Sequence, residues 1–184
     1  ILCDTNGGVL PHEVEKILSS LPLDELNDIG VHFHDDCGTA VANSIIGVQY
    51  GAVHVQGTIN GWGERCGNAN LCSILPNISL KTEYTTNADK NLKHLTSLSR
   101  FVAEKANIIP NKRQPYVGEA AFSHKAGQHA DVITKAPHLM EHINSADVGN
   151  ERKILLSELA GKSTIVGKLS KYGSFDKSSK EVTK

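Results

Sequence analysis

Ile29-Gly30-Val31-His32-Phe33-His34-Asp35-Asp36-Cys37-Gly38 is the stretch that decides the fold class. Its first six residues read as a β-strand, and residues 35–38 as the loop that leaves it. A helix follows over about 39–50, with Ala42, Ile45, Ile46 and Val48 available for packing, and Gly51 stops it. Residues 53–56 form the next strand. Upstream, residues 1–3 read as the end of a buried strand and 4–8 as a loop whose glycines allow tight turns. Pro11 opens a helix at a first-turn position, Glu13 and Glu15 lie near its positive end, and Pro22 ends it. Val14, Ile17, Leu18 and Leu21 give that helix one apolar face. Downstream, a polar Gly-rich loop spans 57–67, and Asn68 is placed to cap a helix running through Leu75. Strand and helix thus alternate three times, the pattern of parallel βα units.

After Pro76 the pattern changes. A long helical stretch over about 89–107 precedes Pro and Gly punctuation, and a helix-rich segment covers about 127–169. Three βα units cannot close a barrel, which takes roughly 250 residues. If this is barrel material, about five further units lie upstream. The opening Ile1-Leu2-Cys3-Asp4, without Met and as if in mid-strand, leads to the same expectation of a fragment.

The 184 residues fit one domain, or one modest domain with an appendage. An apolar share of 39% and a charged share of 21% are ordinary for a globular protein. With a net charge of −1 and no Lys or Arg run, nothing points to nucleic acid. No stretch is apolar and long enough to cross a bilayer, and there is no signal-peptide pattern, so no membrane partner is expected. Cys3, Cys37, Cys66 and Cys72 form no CxxC pair, and reduced thiols in the cytoplasm are the expectation. The basic tail of Lys168, Lys171, Lys177, Lys180 and Lys184 is diluted with Ser and Gly and reads as a solvated end.

Three constellations carry chemistry. His32 and His34, two apart on a strand, point the same way at its C-terminal end, where α/β sites sit. Two neutral imidazoles side by side suit a divalent metal, and Asp35 or Asp36 could orient one of them from behind. HxH alone suits two half-buried, hydrogen-bonded histidines equally well; the following Asp-Asp-x-Gly at a strand-to-helix turn favours metal. The second constellation is the loop 57–70, whose glycines let backbone approach a ligand and whose Asn68 can offer an oxygen to a metal. Glu64 and Arg65 there read as an internal ion pair that holds the loop. The third is Phe122-Ser123-His124-Lys125-Ala126-Gly127-Gln128-His129-Ala130-Asp131, where a His near an acid can serve as a general base. The cysteines and Trp62 read as packing residues of their turns.

The run Ile29-x-x-His32-x-His34-Asp35-Asp36-x-Gly38-x-Ala40-x-Ala42 resembles the second signature of the isopropylmalate, homocitrate and citramalate synthases. LCDTNGG, QGTINGWGERCGNANLCSILPN, QPYVGEAAFSHKAGQHADV and VGNERKILLSELAGKS resemble the citramalate branch more narrowly, and together these strings span nearly residues 1–163. The resemblance implies an α/β fold: the last three βα units of a TIM (β/α)8 barrel over residues 1–87, then a helix-rich linker subdomain with a basic tail over 88–184. It implies acyltransferase chemistry, a Claisen condensation of acetyl-CoA with an α-keto acid, with pyruvate as the expected substrate and citramalate as the product, in branched-chain amino-acid biosynthesis. It implies a divalent metal (Mg, Mn or Zn) held by an Asp near the first barrel strand and by the HxH pair, which falls here on His32 and His34. Asn68 falls on an Asn close to the metal, Thr5 on a Thr that contacts the keto acid, and His129 on a histidine of acid/base work at the acetyl group. A homodimer is implied, because the family's linker can reach the partner subunit's site. The Asp ligand, its neighbouring Arg and Glu, and the feedback domain are not in this sequence, so the chain alone is expected to be inactive and to hold metal weakly. Isopropylmalate and homocitrate synthases are the near alternatives. A non-catalytic dimerisation fragment is another, supported by the helices after Ala88. A related lyase is disfavoured by the GERCGNAN and GQHAD strings.

Overall fold

The computed structural model describes residues 1–22, 28–125, 132–133 and 136–155, with Val166, Leu169 and Gly173. Three strands lie parallel in chain order: β1 (Leu2–Asp4), β2 (Ile29–Phe33) and β3 (Ala52–Gln56). Between them run α1 (Pro11–Ser19) and α2 (Ala40–Gln49). The α/β class with parallel strands is therefore the architecture of this half of the chain.

The pleat sorts the side chains of β2. Val31 and Phe33 enter a core with Val14 and Leu18 of α1, Ala40 of α2 and Ala52 of β3. Each fully buried Leu or Val in it contributes about 1.5–3 kcal/mol. His32 falls on the opposite face, level with Cys3 and Gln56 in the ladder. The register shifts between Ile29 and Gly30, where a Cβ on Gly30 would meet the Ile1 side chain at 2.4 Å. Among the described residues neither β1 nor β3 has a further strand beside it.

Pro11 stands at the first turn of α1, and Glu13 reaches back to accept the Leu10 N–H at 2.9 Å. The Tyr50 hydroxyl donates to Glu15 at 2.8 Å and straps the end of α2 to α1. The third helix, α3 (Leu71–Lys81), departs from the expectation at both ends. Asn70 caps it, accepting the Cys72 N–H at 2.9 Å, because the Asn68 backbone is already committed to the loop. The helix also continues past Pro76. The proline removes one helical hydrogen bond, and the burial of Pro76 itself, with Ile74 and Ile78 packed in the first core, offsets that loss.

Cys72 turns to a second core with Leu92, Leu95, Tyr116, Val117, Phe122 and Val148, so α3 is shared by both halves. The expected long helix over 89–107 is a 3-10 segment, Asp89–His94, followed by α4 (Leu95–Ala106), and Asn107 ends it in the left-handed region at φ 53°. The segment expected to be helix-rich differs. Its described residues hold helical positions at Val132, Ile133, Val166 and Leu169, two short 3-10 turns, Pro137–Leu139 and Ser145–Val148, and a strand, β5 (Lys153–Leu155), that pairs parallel with β4 (Ser123–Lys125) just before the segment. Asn150 is buried and donates to the carbonyls of Tyr116 and Gly118, which fastens this end of the second core. Among the described residues no helix is long and apolar enough to cross a membrane.

Candidate active site

Three loops meet at the C-terminal ends of β1, β2 and β3. The loop after β1 is shaped by Asp4, a buried carboxylate that accepts the N–H groups of Gly7 at 3.1 Å and Val9 at 3.0 Å. Thr5 is thereby held at the mouth, and its carbonyl accepts from Arg65 Nη2 at 2.8 Å. Gly7 has φ +68°, and a Cβ there would meet Asp36 Oδ2 at 2.3 Å, so only glycine lets the loops close.

Asp35 and Asp36 do not orient an imidazole. Asp35 accepts the Ala40 N–H at 2.9 Å, at the start of α2. Asp36 is gripped by Arg65 through Nε at 2.8 Å and Nη2 at 2.9 Å. Those hydrogen bonds hold the Asp36 carboxyl below its usual range against the desolvation of partial burial. Arg65 does hold the loop, but not through the expected ion pair with Glu64. Its main partner is Asp36, with Glu64 only at 3.8 Å.

The loop after β3 brings Asn68 back over β2. The Ala69 N–H donates to the Phe33 carbonyl at 3.0 Å, and the Asn68 N–H to the Gly61 carbonyl at 2.9 Å. Gly67, at φ +98°, packs its α-carbon where a Cβ would lie 2.0 Å from the Gly61 oxygen. Asn60, itself at φ 66°, ties this loop to α4: its Nδ2 donates to the Ser99 carbonyl at 3.0 Å, and its Oδ1 receives Ser99 Oγ at 2.5 Å and Gln114 Nε2 at 3.2 Å.

His32, His34 and Asn68 come together as the sequence suggested. The two rings are edge to face with centroids 5.2 Å apart. His32 Nε2 lies 3.3 Å from Asn68 Nδ2, and His32 Nδ1 lies 3.1 Å from Gln56 Oε1. His34 Nδ1 is buried with no hydrogen-bond partner among the described residues, an expense that a ligand to that nitrogen would remove. Two imidazoles are borderline donors that fit a divalent ion, and Asn68, which turns its Nδ2 to His32 and its Oδ1 toward Gly63, adds an oxygen only by rotating its amide. They make part of a shell: among the described residues no group of three or more His, Cys, Asp or Glu gathers to hold a metal.

His129 lies outside the described residues. His124, in the same motif, lies 3.1 Å from Glu141, which is buried and forks onto Arg152. Arg152 and then His124 hold the Glu141 carboxyl below its usual range. All four cysteines carry free thiols; Cys72 is buried, and burial pushes its thiol up, whereas Cys3, Cys37 and Cys66 are exposed rather than packed. The sequence reading missed Gln56. The sequence shows only a polar residue at the end of a strand; that it lies level with His32 follows from the β2–β3 register.

The family model HMGL-like matches residues 1–102, and the model for the homocitrate synthase post-HMGL domain-like family matches 116–184. The chain is 51% identical over 175 residues to the (R)-citramalate synthase of Aquifex aeolicus, covering 94% of this chain and 33% of that protein. It is 48% identical over 181 residues to the (R)-citramalate synthase of Synechocystis, again covering 94% and 33%. A probable 2-isopropylmalate synthase of Methanopyrus kandleri is 37% identical over 171 residues, with coverage of 92% and 34%. The chain thus spans about one third of the length of the curated relatives it matches.

Proposed function

The chain belongs to the HMGL-like family, and from that premise we propose that it forms part of an acyltransferase that condenses acetyl-CoA with an α-keto acid, with pyruvate giving citramalate. Identities of 48–51% to citramalate synthases against 37% to the isopropylmalate synthase favour pyruvate. The observation that carries the reading is the convergence of His32, His34 and Asn68 at the end of a parallel strand, with His34 Nδ1 buried and without a partner among the described residues.

In this reading β1–β3 are the last three strands of an eight-stranded barrel. The uncovered face bearing Cys3, His32 and Gln56 is then the barrel interior, and the neighbourless edges of β1 and β3 meet strands from the rest of the protein. The bound divalent ion supplies Lewis-acid polarisation of the keto group. His32 and His34 hold it, with the Asn68 amide alongside. Thr5, on the loop clamped by Arg65, contacts the keto acid. Arg65 is committed to Asp36 and to the Thr5 carbonyl, so its charge serves loop geometry and not substrate binding. His129 handles the proton at the acetyl methyl. The exposed Leu98, Phe101, Ile108 and Ile109 on and after α4 support a homodimer.

Titration of Mn²⁺ or Zn²⁺ into the chain, with a His32→Ala/His34→Ala double variant as control, tests the site. Stoichiometric binding that the double variant loses supports the reading. Binding that the double variant retains overturns the assignment of these ligands, and no binding by the folded chain means that the site is completed only by the rest of the protein.

A further inference from the structure

We propose that Gln56 is the positioning residue for His32: its side-chain oxygen fixes the imidazole as the Nδ1–H tautomer and presents the Nε2 lone pair to the divalent ion. The inference rests on reading His32 as a metal ligand.

With the Gln56 and Asn68 amides oriented as they stand, the two contacts of the ring give one assignment. Gln56 Oε1, 3.1 Å from Nδ1, is an amide oxygen and only accepts. Asn68 Nδ2, 3.3 Å from Nε2, is an amide nitrogen and only donates. A neutral imidazole has one donor and one acceptor nitrogen, so Nδ1 carries the proton and Nε2 the lone pair. A metal arriving at Nε2 replaces the Asn68 N–H, and no proton has to move. A histidine side chain in water favours the opposite tautomer, so the contact with Gln56 inverts an intrinsic preference.

The backbone fixes both partners on either side of the ring. Gln56 is the last residue of β3 and pairs with His32 in the parallel ladder. The next residue is Gly57, where a Cβ would lie 2.4 Å from the Ala69 carbonyl oxygen, and the Thr58 N–H donates to that same oxygen at 3.0 Å. Ala69 follows Asn68 in the chain. The strand end carrying Gln56 and the loop carrying Asn68 are thus pinned to each other next to His32. An acceptor on the far nitrogen is the usual way a protein orients a metal-binding imidazole, and its loss typically weakens metal affinity 10- to 100-fold. Gln56 does this with a neutral amide, which adds no charge to the site.

The test uses ¹⁵N-labelled chain without metal at about pH 8, above the usual histidine range, where long-range ¹H–¹⁵N spectra distinguish the two tautomers. Wild type is expected to show His32 as Nδ1–H, Gln56→Leu to move it toward Nε2–H, and Gln56→Glu to restore Nδ1–H. In parallel titrations with Zn²⁺, Gln56→Leu is expected to bind about 10- to 100-fold more weakly and Gln56→Glu at least as tightly as wild type. His34→Ala is expected to weaken Zn²⁺ binding and leave the His32 tautomer unchanged. An Nε2–H tautomer in wild type, or a Gln56→Leu variant with unchanged tautomer and affinity, overturns the proposal. If wild type binds no Zn²⁺ yet shows the Gln56-dependent tautomer, the metal reading fails while the positioning of His32 by Gln56 stands.

Discussion

Arg65 spans from Asp36 to the carbonyl of Thr5, so one guanidinium joins the loops after all three parallel strands. A lysine has no planar fork and cannot make the paired contact with Asp36 while reaching Thr5. Half-exposed ion pairs contribute little to global stability, so Arg65→Lys is expected to leave the melting temperature almost unchanged. Its effect falls on the loops. The Asp35 N–H, bonded to the Gly67 carbonyl, and the Cys37 N–H, bonded to the Gly7 carbonyl, should exchange with solvent faster. Unchanged exchange at both amides in Arg65→Lys would remove the clamp from the account of the site.

Glu141 makes the second half of the chain acid-sensitive. Its carboxylate is held below the ordinary glutamate range by Arg152 first and His124 second. The unfolded chain carries this group at its ordinary value, about 4.3. Between the two values the unfolded state binds more protons. The stabilisation is therefore fully present above about pH 4.3 and is lost as pH falls through the folded value. Glu141→Gln is expected to cost about 2 kcal/mol at pH 7, since it removes charge-assisted hydrogen bonds from a buried position. Urea melts between pH 6 and pH 3 should show a smaller loss of stability for the variant than for wild type. Parallel curves would mean that another carboxylate sets the acid limb.

Asn60 combines an unusual backbone with a polar hub. It sits at φ 66°, and its amide links the loop to Ser99 and Gln114. Asn60→Ala loses these bonds and adds left-handed strain; Asn60→Gly loses the bonds without the strain. The expected losses are about 2–3 kcal/mol for Ala, with Gly about 1 kcal/mol better. Denaturant melts of the two variants check the order. Ala equal to or better than Gly would show that the left-handed backbone contributes no strain at this position.

The parallel units were legible because their punctuation is local. Pro11, Gly51 and the polar Gly-rich loop mark helix starts and stops within a few residues of where they occur. The spacing of His32 and His34 carried the site for the same reason: a period of two needs no tertiary information. What the sequence hid depends on partners far along the chain. Gln56 faces His32 only because of the β2–β3 register. Ser123–Lys125 and Lys153–Leu155 are three-residue strands thirty residues apart, without the β-branched alternation that would mark them. Pro76 broke the expected helix on paper, yet α3 continues because both cores pack against it.

Gly63 serves the site by leaving room. A Cβ built there would lie 1.9 Å from Asn68 Oδ1 and 2.9 Å from its Cγ, while the nearest backbone atom is 3.4 Å away. The clash is therefore with the movable end of a side chain. Gly63→Ala should fold, with a melting temperature close to wild type, and should push the Asn68 amide away from His32. If Asn68 helps to hold the divalent ion, Gly63→Ala and Asn68→Ala should each weaken Mn²⁺ binding, by about the tenfold that corresponds to roughly 1.4 kcal/mol. Because both act through one amide, the double variant should be no weaker than Asn68→Ala alone, a non-additivity that a mutant cycle measures directly. Additive losses would mean that Gly63 acts on the ion by another route. Unchanged binding in Asn68→Ala would take the amide out of the coordination shell and leave its contact with His32 as a packing interaction of the loop.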